Sequence, residues 1–353
     1  MTAKKRPNAT IGEMFRKQGP MRVTPDDSLV MPFLPIGVEV EVERWDQSAP
    51  PAKFLWQQHN DDSLRNGGRE FVLGPACGRQ ITDGLRALFG MAKEKGWEAN
   101  ARTGIHVHVD ASGKGALFPY YFTSVYLMVE HALYGYAGEW RRWCNFCHSF
   151  EDAEESLLSL RKMLLCTDQK SYIKAASDMH RYAGLNFNSL AKHGTIEVRI
   201  LCTSFDYQYV LNWINFIMSI YKLAEEMEAK EQNIVDLYKD LGPERMMRRI
   251  FSRDDVYSAI EEHIKVPEVR RGLLRAKLID VVDDARVLQD MESVGGGAKK
   301  QGEIRQTKAY DGQTPVADFL MQFVQPEGDE SANLPLVKKF LANKEREKME
   351  ASH

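Results

Sequence analysis

Three stretches of the chain alternate apolar and polar residues with period two, and each reads as a β-strand with two chemically different faces. Residues 36–43 run I-G-V-E-V-E-V-E, with the valines on one face and Glu39, Glu41 and Glu43 on the other. T-G-I-H-V-H-V-D sets His106, His108 and Asp110 against valines in the same way. T-I-E-V-R-I, at the end of 182–200, does so with Glu197 and Arg199. A shorter strand, R-E-F-V-L around Glu70, follows the turn-rich stretch H-N-D-D-S-L-R-N-G-G. Between these strands the period changes to that of a helix. Ile81, Leu85, Leu88, Met91 and Ala92 fall on one side of a helix over 81–95, with Gly96 just past its end. Further long helices are predicted at about 118–136, 151–165 and 207–229.

The order strand, helix, strand, helices, strand, helix indicates an α+β catalytic unit over 36–230. Residues 1–35 read as a polar lead-in and 231–290 as a charged helical extension. Gly295, Gly296 and Gly297 open a flexible linker and charged tail over 291–353.

Three glutamates on one face of an otherwise apolar strand admit two readings. They can be the solvated face of an edge strand, where charge discourages edge pairing. They can also be hard oxygen ligands for Mg²⁺ or Mn²⁺, whose charge would relieve the repulsion between them. His106 and His108 at i, i+2, with Asp110, would equally suit zinc, although a zinc hydrolase needs a third ligand and H-E-x-x-H is absent. Abundant glutamates favour the hard cations. Arg181, with Asn186 and Asn188 after it, and Arg199 offer planar donor forks for phosphate or carboxylate. Arg65, Arg69 and Arg102 add cations near the proposed ligands, enough to hold a substrate carboxylate as well.

Bulk properties narrow the field further. With 353 residues, 43% of them hydrophobic, the chain can build one large core. A net charge of −3 with both signs mixed leaves no basic surface for nucleic acid. Five cysteines, an odd number, suit a reducing compartment. The N-terminal basic residues have no apolar run behind them, and the most apolar stretch, 118–138, carries Glu130 and His131, which marks a buried helix rather than a membrane span. A cytoplasmic protein without nucleic-acid or membrane partners is expected; homo-oligomer formation stays open.

Taken in order, I-G-V-E-V-E-V-E, G-G-R-E-F-V-L-G-P, T-G-I-H-V-H-V-D, and R-Y-A-G-L-N-F-N-S-L with G-T-I-E-V-R-I resemble the motifs of the amidoligase family. These carboxylate–amine ligases are related to glutamine synthetase and glutamate–cysteine ligase, and the resemblance covers about residues 36–205. It implies a glutamine-synthetase-like α+β fold with an antiparallel sheet carrying the active site. It also implies ATP and Mg²⁺ (or Mn²⁺) as cofactors, an acyl-phosphate intermediate, and carboxylate and amine substrates that are small molecules or peptides. By motif, Glu39, Glu41, Glu70, His106 and Glu197 would hold metal. His106, His108, Arg181 and Arg199 would face nucleotide or phosphate, and Glu39, Glu41, Glu70, Arg181, Glu197 and Arg199 would form the catalytic set. Family members commonly carry Cys or Ser where Thr103 stands. A catalytically silent scaffold with the same fold, or a metal-dependent hydrolase using His106 and His108, are the competing readings.

W-C-N-F-C-H at 143–148 looks like a redox or haem motif, yet it sits after a helix instead of opening one. Two semi-buried structural thiols are expected there, with a zinc site involving Cys166 or His148 as the alternative.

Overall fold

The computed structural model describes residues 9–15, 24–51, 55–144, 147–150, 154–166, 168–179 and 182–280. Arg181, the glycine linker and the charged tail lie outside the described residues. A short helix, α1 (Ile11–Phe15), precedes strands β1 (Ile36–Val42), β2 (Trp56–His59) and β3 (Arg69–Ala76). Next come α2 (Arg79–Lys95), β4 (Gly104–Asp110), α3 (Phe118–Ala137), α4 (Glu154–Leu165) and α5 (Gln169–Ser177). Strand β5 (Leu185–Asn186), α6 (Asn188–His193) and β6 (Thr195–Cys202) complete the sheet, and α7 (Tyr207–Lys230) to α10 (Val266–Asp280) follow, with α8 at Ile234–Ile250 and α9 at Asp254–Ile260.

The protein is mixed α and β. Its six strands form one sheet in the order β2-β3-β1-β4-β6-β5, and every neighbouring pair is antiparallel. Alternation does what the sequence pattern implies. Val38, Val40, Phe71, Leu73, Ile105, Val107, Ile196 and Val198 are fully buried, while the intervening polar residues occupy the opposite face. Helices α2, α3 and α7 pack against the sheet and cover its apolar side. Helix α2 ends where expected, at Gly96 with φ 67°, a left-handed conformation that glycine adopts without steric cost.

The core does not stop at residue 230. Val269, Leu273, Ala276 and Ile279 of α10 join the same apolar cluster as α3 and α7. Gly272 lies at the α3–α10 crossing, where a Cβ would come within 2.2 Å of the Leu127 carbonyl oxygen, so only glycine permits this approach. No helix among the described residues is long and apolar enough to cross a membrane.

Candidate functional site

Strand register carries one line of polar residues across the sheet. Glu70 of β3 lies opposite Glu41 of β1, and Glu39 lies opposite His106 of β4. His108 faces Glu197 of β6, which faces Asn186 of β5. Residues directly opposite on one face of an antiparallel pair have Cβ atoms about 4.5–5.5 Å apart, so the band is continuous. It floors a cavity of about 560 Å³ whose walls include Asp61, Ser63, Arg102, Tyr182, Lys192 and Arg199.

Two groups within this band could each hold a cation. Glu39, His108 and Glu197 offer ligand atoms within 4.8 Å of one another, and so do Glu41, Asp61 and Glu70. His106 sits between them: its Nδ1 is 2.9 Å from Glu39 Oε2 and 3.5 Å from Glu197 Oε1, and its Nε2 is 3.7 Å from Glu41 Oε1. His108 is oriented by Thr195, whose Oγ1 is 3.0 Å from Nδ1, leaving Nε2 toward the cluster and 3.1 Å from Glu39 Oε1. Nε2 nevertheless makes no hydrogen bond of acceptable geometry. A second contact to the other imidazole nitrogen is the usual way a ligand histidine is fixed. The donor sets, O/N/O and O/O/O, suit Mg²⁺ or Mn²⁺. Asn186 Nδ2 donates to Glu197 Oε2 at 2.8 Å and Arg199 Nη1 is 3.3 Å from Glu197 Oε1. The Gly104 N–H donates to Glu41 Oε2 at 2.6 Å. A Cβ on Gly104 would crowd His106 Nε2 at 3.1 Å, which accounts for glycine beside the first histidine.

Charge in the band is unevenly balanced. Burial raises the Glu39 carboxyl, but the charge and close approach of His108 and His106 outweigh it and hold Glu39 well below the ordinary carboxylate range. Burial likewise opposes ionisation of Glu197, and Arg199 and the two histidines overcome it, lowering its pKa. The histidines shift the other way: burial disfavours their charge, yet the surrounding glutamates raise both. Glu41 is raised by burial despite His106 and the Gly104 N–H. Glu70 is pushed up to about 7 by burial and by the charge of Glu39, with Glu41 and Asp61 adding to it. The histidines thus favour ionised carboxylates at Glu39 and Glu197, while burial and like charge favour the protonated form at Glu70.

That arrangement makes cation binding pH-dependent. Ligand atoms must be deprotonated to coordinate. Glu70 loses its proton as pH rises through about 7, and the histidines, raised above their ordinary range by the glutamates, hold theirs to higher pH than a free imidazole would. Mn²⁺ affinity should therefore climb at least about tenfold between pH 6 and pH 8, with proton release on binding. Calorimetry in buffers of different ionisation enthalpy measures both, and a pH-independent affinity would contradict this reading of the charges.

Of the residues singled out from sequence, Glu39, Glu41, Glu70, His106, His108, Glu197 and Arg199 all line the cavity. Arg181 lies outside the described residues. Of the two histidines, His108 belongs to a group able to hold a cation, while His106, expected from the motif to hold metal, lies between the two groups with its Nδ1 2.9 Å from Glu39. Arg69 does not face the site. It is one residue from Glu70 and so lies on the opposite face, with its guanidinium 4.6 Å above the Trp45 ring. Arg65 contributes its backbone N–H to Glu43 and no side chain to the cavity, whereas Arg102 does line it. Asp110 turns to the backbone N–H of Ser112.

Sequence reasoning missed Asp61, Lys192, His193 and Arg141 in the cavity wall. Asp61 lay in the polar turn run before Glu70, which was the available signal. Arg141 is 3% exposed and donates to the Ile200 carbonyl at 2.6 Å, so it braces β6. It also organises the cysteine pair: Cys147 donates to the Arg141 carbonyl at 3.3 Å, and Arg141 Nη1 approaches Cys144 Sγ at 3.7 Å. No cysteine belongs to a group able to hold a metal ion among the described residues.

Residues 58–221 match the family described as “Putative amidoligase enzyme”. This segment belongs to the amidoligase family. The family description is that of a ligase-type enzyme, and the matched segment contains Asp61, Glu70, His106, His108, Glu197 and Arg199. Glu39 and Glu41 precede it, but antiparallel pairing of β1 with β3 and β4 places them within the same band. No curated protein matches the chain.

Proposed function

We propose that this protein is an ATP-dependent carboxylate–amine ligase that works through an acyl phosphate on a glutamine-synthetase-like sheet. One observation carries the reading: two cation-capable clusters share a single cavity floor, with the Arg199 guanidinium beside one of them. Phosphoryl transfer needs that combination, since catalysis rests on positioning and on compensating charge spread over phosphate oxygens. Glu39, His108 and Glu197 would hold one divalent ion and Glu41, Asp61 and Glu70 another; such ions neutralise polyphosphate charge.

The chemistry follows from the substrate. A carboxylate repels an incoming amine electrostatically, and oxide is too poor a leaving group for direct displacement. Attack by a carboxylate oxygen on the γ-phosphorus of ATP forms a C–O–P linkage and releases ADP. The amine nitrogen then attacks the acyl carbon, the C–O bond breaks, and inorganic phosphate leaves with the electron pair as the nitrogen loses its proton to a base. Arg199 would stabilise charge on the transferring group, with Lys192 and Arg102 as further cations on the cavity wall. Asn186 and Arg199 hold Glu197 in place for its role. A hydrolase built on His106 and His108 finds less support, because these two histidines share no cation-capable group among the described residues.

The test is to incubate the protein with ATP, Mg²⁺ and a pool of small amino acids, polyamines and peptides while following ADP and phosphate. Release that requires both a carboxylate and an amine is the expected result. Failure to bind nucleotide in calorimetry would overturn the proposal in favour of a silent scaffold.

A further inference from the structure

We infer that Glu43 is a positioning residue: its buried carboxylate anchors the loop that carries Asp61 and thereby builds the Glu41–Asp61–Glu70 cluster. The inference rests on the proposed reading of that cluster as a cation site.

Glu43 continues the acidic alternation of β1 but does not line the cavity. It lies just beyond the strand, is 1% exposed, and pairs its backbone with Glu98 (N to O 2.9 Å and 2.8 Å in the two directions). A carboxylate so deeply buried needs donors, and Glu43 takes them from two loops. Oε1 accepts from the Arg65 backbone N–H at 2.9 Å. Oε2 accepts from Asn66 Nδ2 at 3.0 Å and from Asn100 Nδ2 at 3.1 Å. Arg102 Nε lies 3.7 Å from Oε1, and Arg102 Nη2 donates to the Ser63 carbonyl at 2.7 Å, so the two loops are also tied directly to each other.

Asp61 sits in the first of these loops, between β2 and β3. Its Oδ1 accepts from the Ser63 N–H at 2.7 Å, and its carbonyl accepts from the Leu64 N–H at 3.2 Å. These contacts shape the loop internally but do not hold it against the sheet. Asp61 is nevertheless brought among ligand atoms of Glu41 and Glu70 within 4.8 Å, where like charges repel it. One backbone bond, from the Arg44 N–H to the Asn66 carbonyl at 3.2 Å, ties the far end of the loop to the end of β1, but no ladder bond holds the stretch around Asp61, which would relieve that repulsion by swinging outward. Glu43, fixed to the end of β1 and gripping residues 65 and 66, prevents this. The carboxylate is required in its ionised form: a glutamine would present an NH₂ to one of three donors, and an aspartate is one methylene short of both loops.

Mn²⁺ binding to the full chain tests this, with free Mn²⁺ followed by electron paramagnetic resonance. The wild-type protein is expected to bind two ions. Glu43→Gln should keep the site of Glu39, His108 and Glu197 and weaken the other at least about tenfold. Its ligase turnover should recover at high Mg²⁺, whereas Asp61→Asn should not recover. A role confined to stability would lower the melting temperature and leave the second Mn²⁺ site unmoved; that result overturns the inference. Fewer than two ions on the wild-type protein overturns the cation reading beneath it. Should Glu43→Gln fail to fold, Asn66→Gly carries the test. Asn66 has φ 51°, which glycine tolerates, so this change deletes one donor to Glu43 without straining the loop. Its second site should weaken about threefold, and an unaltered site would equally reject the role of Glu43.

Discussion

Glu39→Gln should lose at least about a hundredfold in Mg²⁺-dependent ATP turnover, a loss of about 2.7 kcal/mol of transition-state stabilisation. Glu39 is the centre of the band: it lies 2.9 Å from His106 Nδ1, 3.1 Å from His108 Nε2, and in the group shared with Glu197. Glutamine keeps its shape, removes its charge and offers one donor where a cation needs a lone pair. The metal-free protein should respond as well. A carboxyl whose pKa is lowered in the folded state contributes stability that is fully present above its unfolded value and is lost as pH falls. Glu39 is such a group, so Glu39→Gln lowers the melting temperature of the metal-free protein at pH 8. Glu70 has the opposite sign. Its pKa is raised to about 7, so the contribution present below its ordinary value of 4.5 is lost as pH rises through 7. Glu70→Gln should therefore raise the metal-free melting temperature at pH 8 by roughly 2–4 °C while also weakening cation binding. Thermal scans of both variants with and without Mg²⁺ decide the matter; equal signs in the metal-free scans would refute this division of charge.

The legible part of the site was the part written in period two. Strands β1, β4 and β6 each bury one face completely, so alternation fixes which side chains share the other face, and a slip of one residue would bury charge. Hence Glu39, His106, His108 and Glu197 could be grouped before any pairing was known. What alternation does not give is register between strands. That is why alternation could not rank His106 and His108, and only the motif put His106 among the metal ligands, although His106 bridges two clusters and His108 belongs to one. Arg69 shows the rule misapplied: nearness in sequence to Glu70 suggested a shared role, while period two assigns it to the far face over Trp45. Strand β5 is only two residues long, and β2 reads W-Q-Q-H, so neither carried a pattern to read. Asp61 was hidden for a related reason. Loop residues reach a site through anchors elsewhere in the chain, here Glu43 and Arg102, and no local periodicity encodes them.

The C-terminal helices offer the second large effect. Arg275→Met should destabilise the protein by about 3–5 kcal/mol, the usual cost of leaving one partner of a buried ion pair uncompensated. Arg275 of α10 donates to Glu130 Oε2 of α3 at 3.0 Å, and both residues are almost fully buried. The other oxygen of Glu130 accepts from the Phe150 N–H at 2.8 Å, so this carboxylate joins α10, α3 and the segment after the cysteine pair. Two charges without water are costly to bury, and the pair is held by apolar packing around it: Gly272 lets α10 touch α3 at Leu127, and Val269, Leu273 and Ala276 fill the seam. Removing Arg275 takes away the cation that faces Glu130 in that seam. Removing both charges should not be additive, because an apolar pair of similar volume is often as stable as the ion pair it replaces. Glu130→Met with Arg275→Met is thus expected to recover most of the loss, by denaturant unfolding with an unchanged m-value. The site is linked to this seam through α3, which packs on β6, the strand that carries Glu197 and Arg199. Arg275→Met should accordingly lose ATP turnover at temperatures where the wild type retains it, with KM for ATP unchanged at lower temperature. A double variant less stable than Arg275→Met would show that the pair contributes more than its mutual compensation, and would reject this account of how α10 is held.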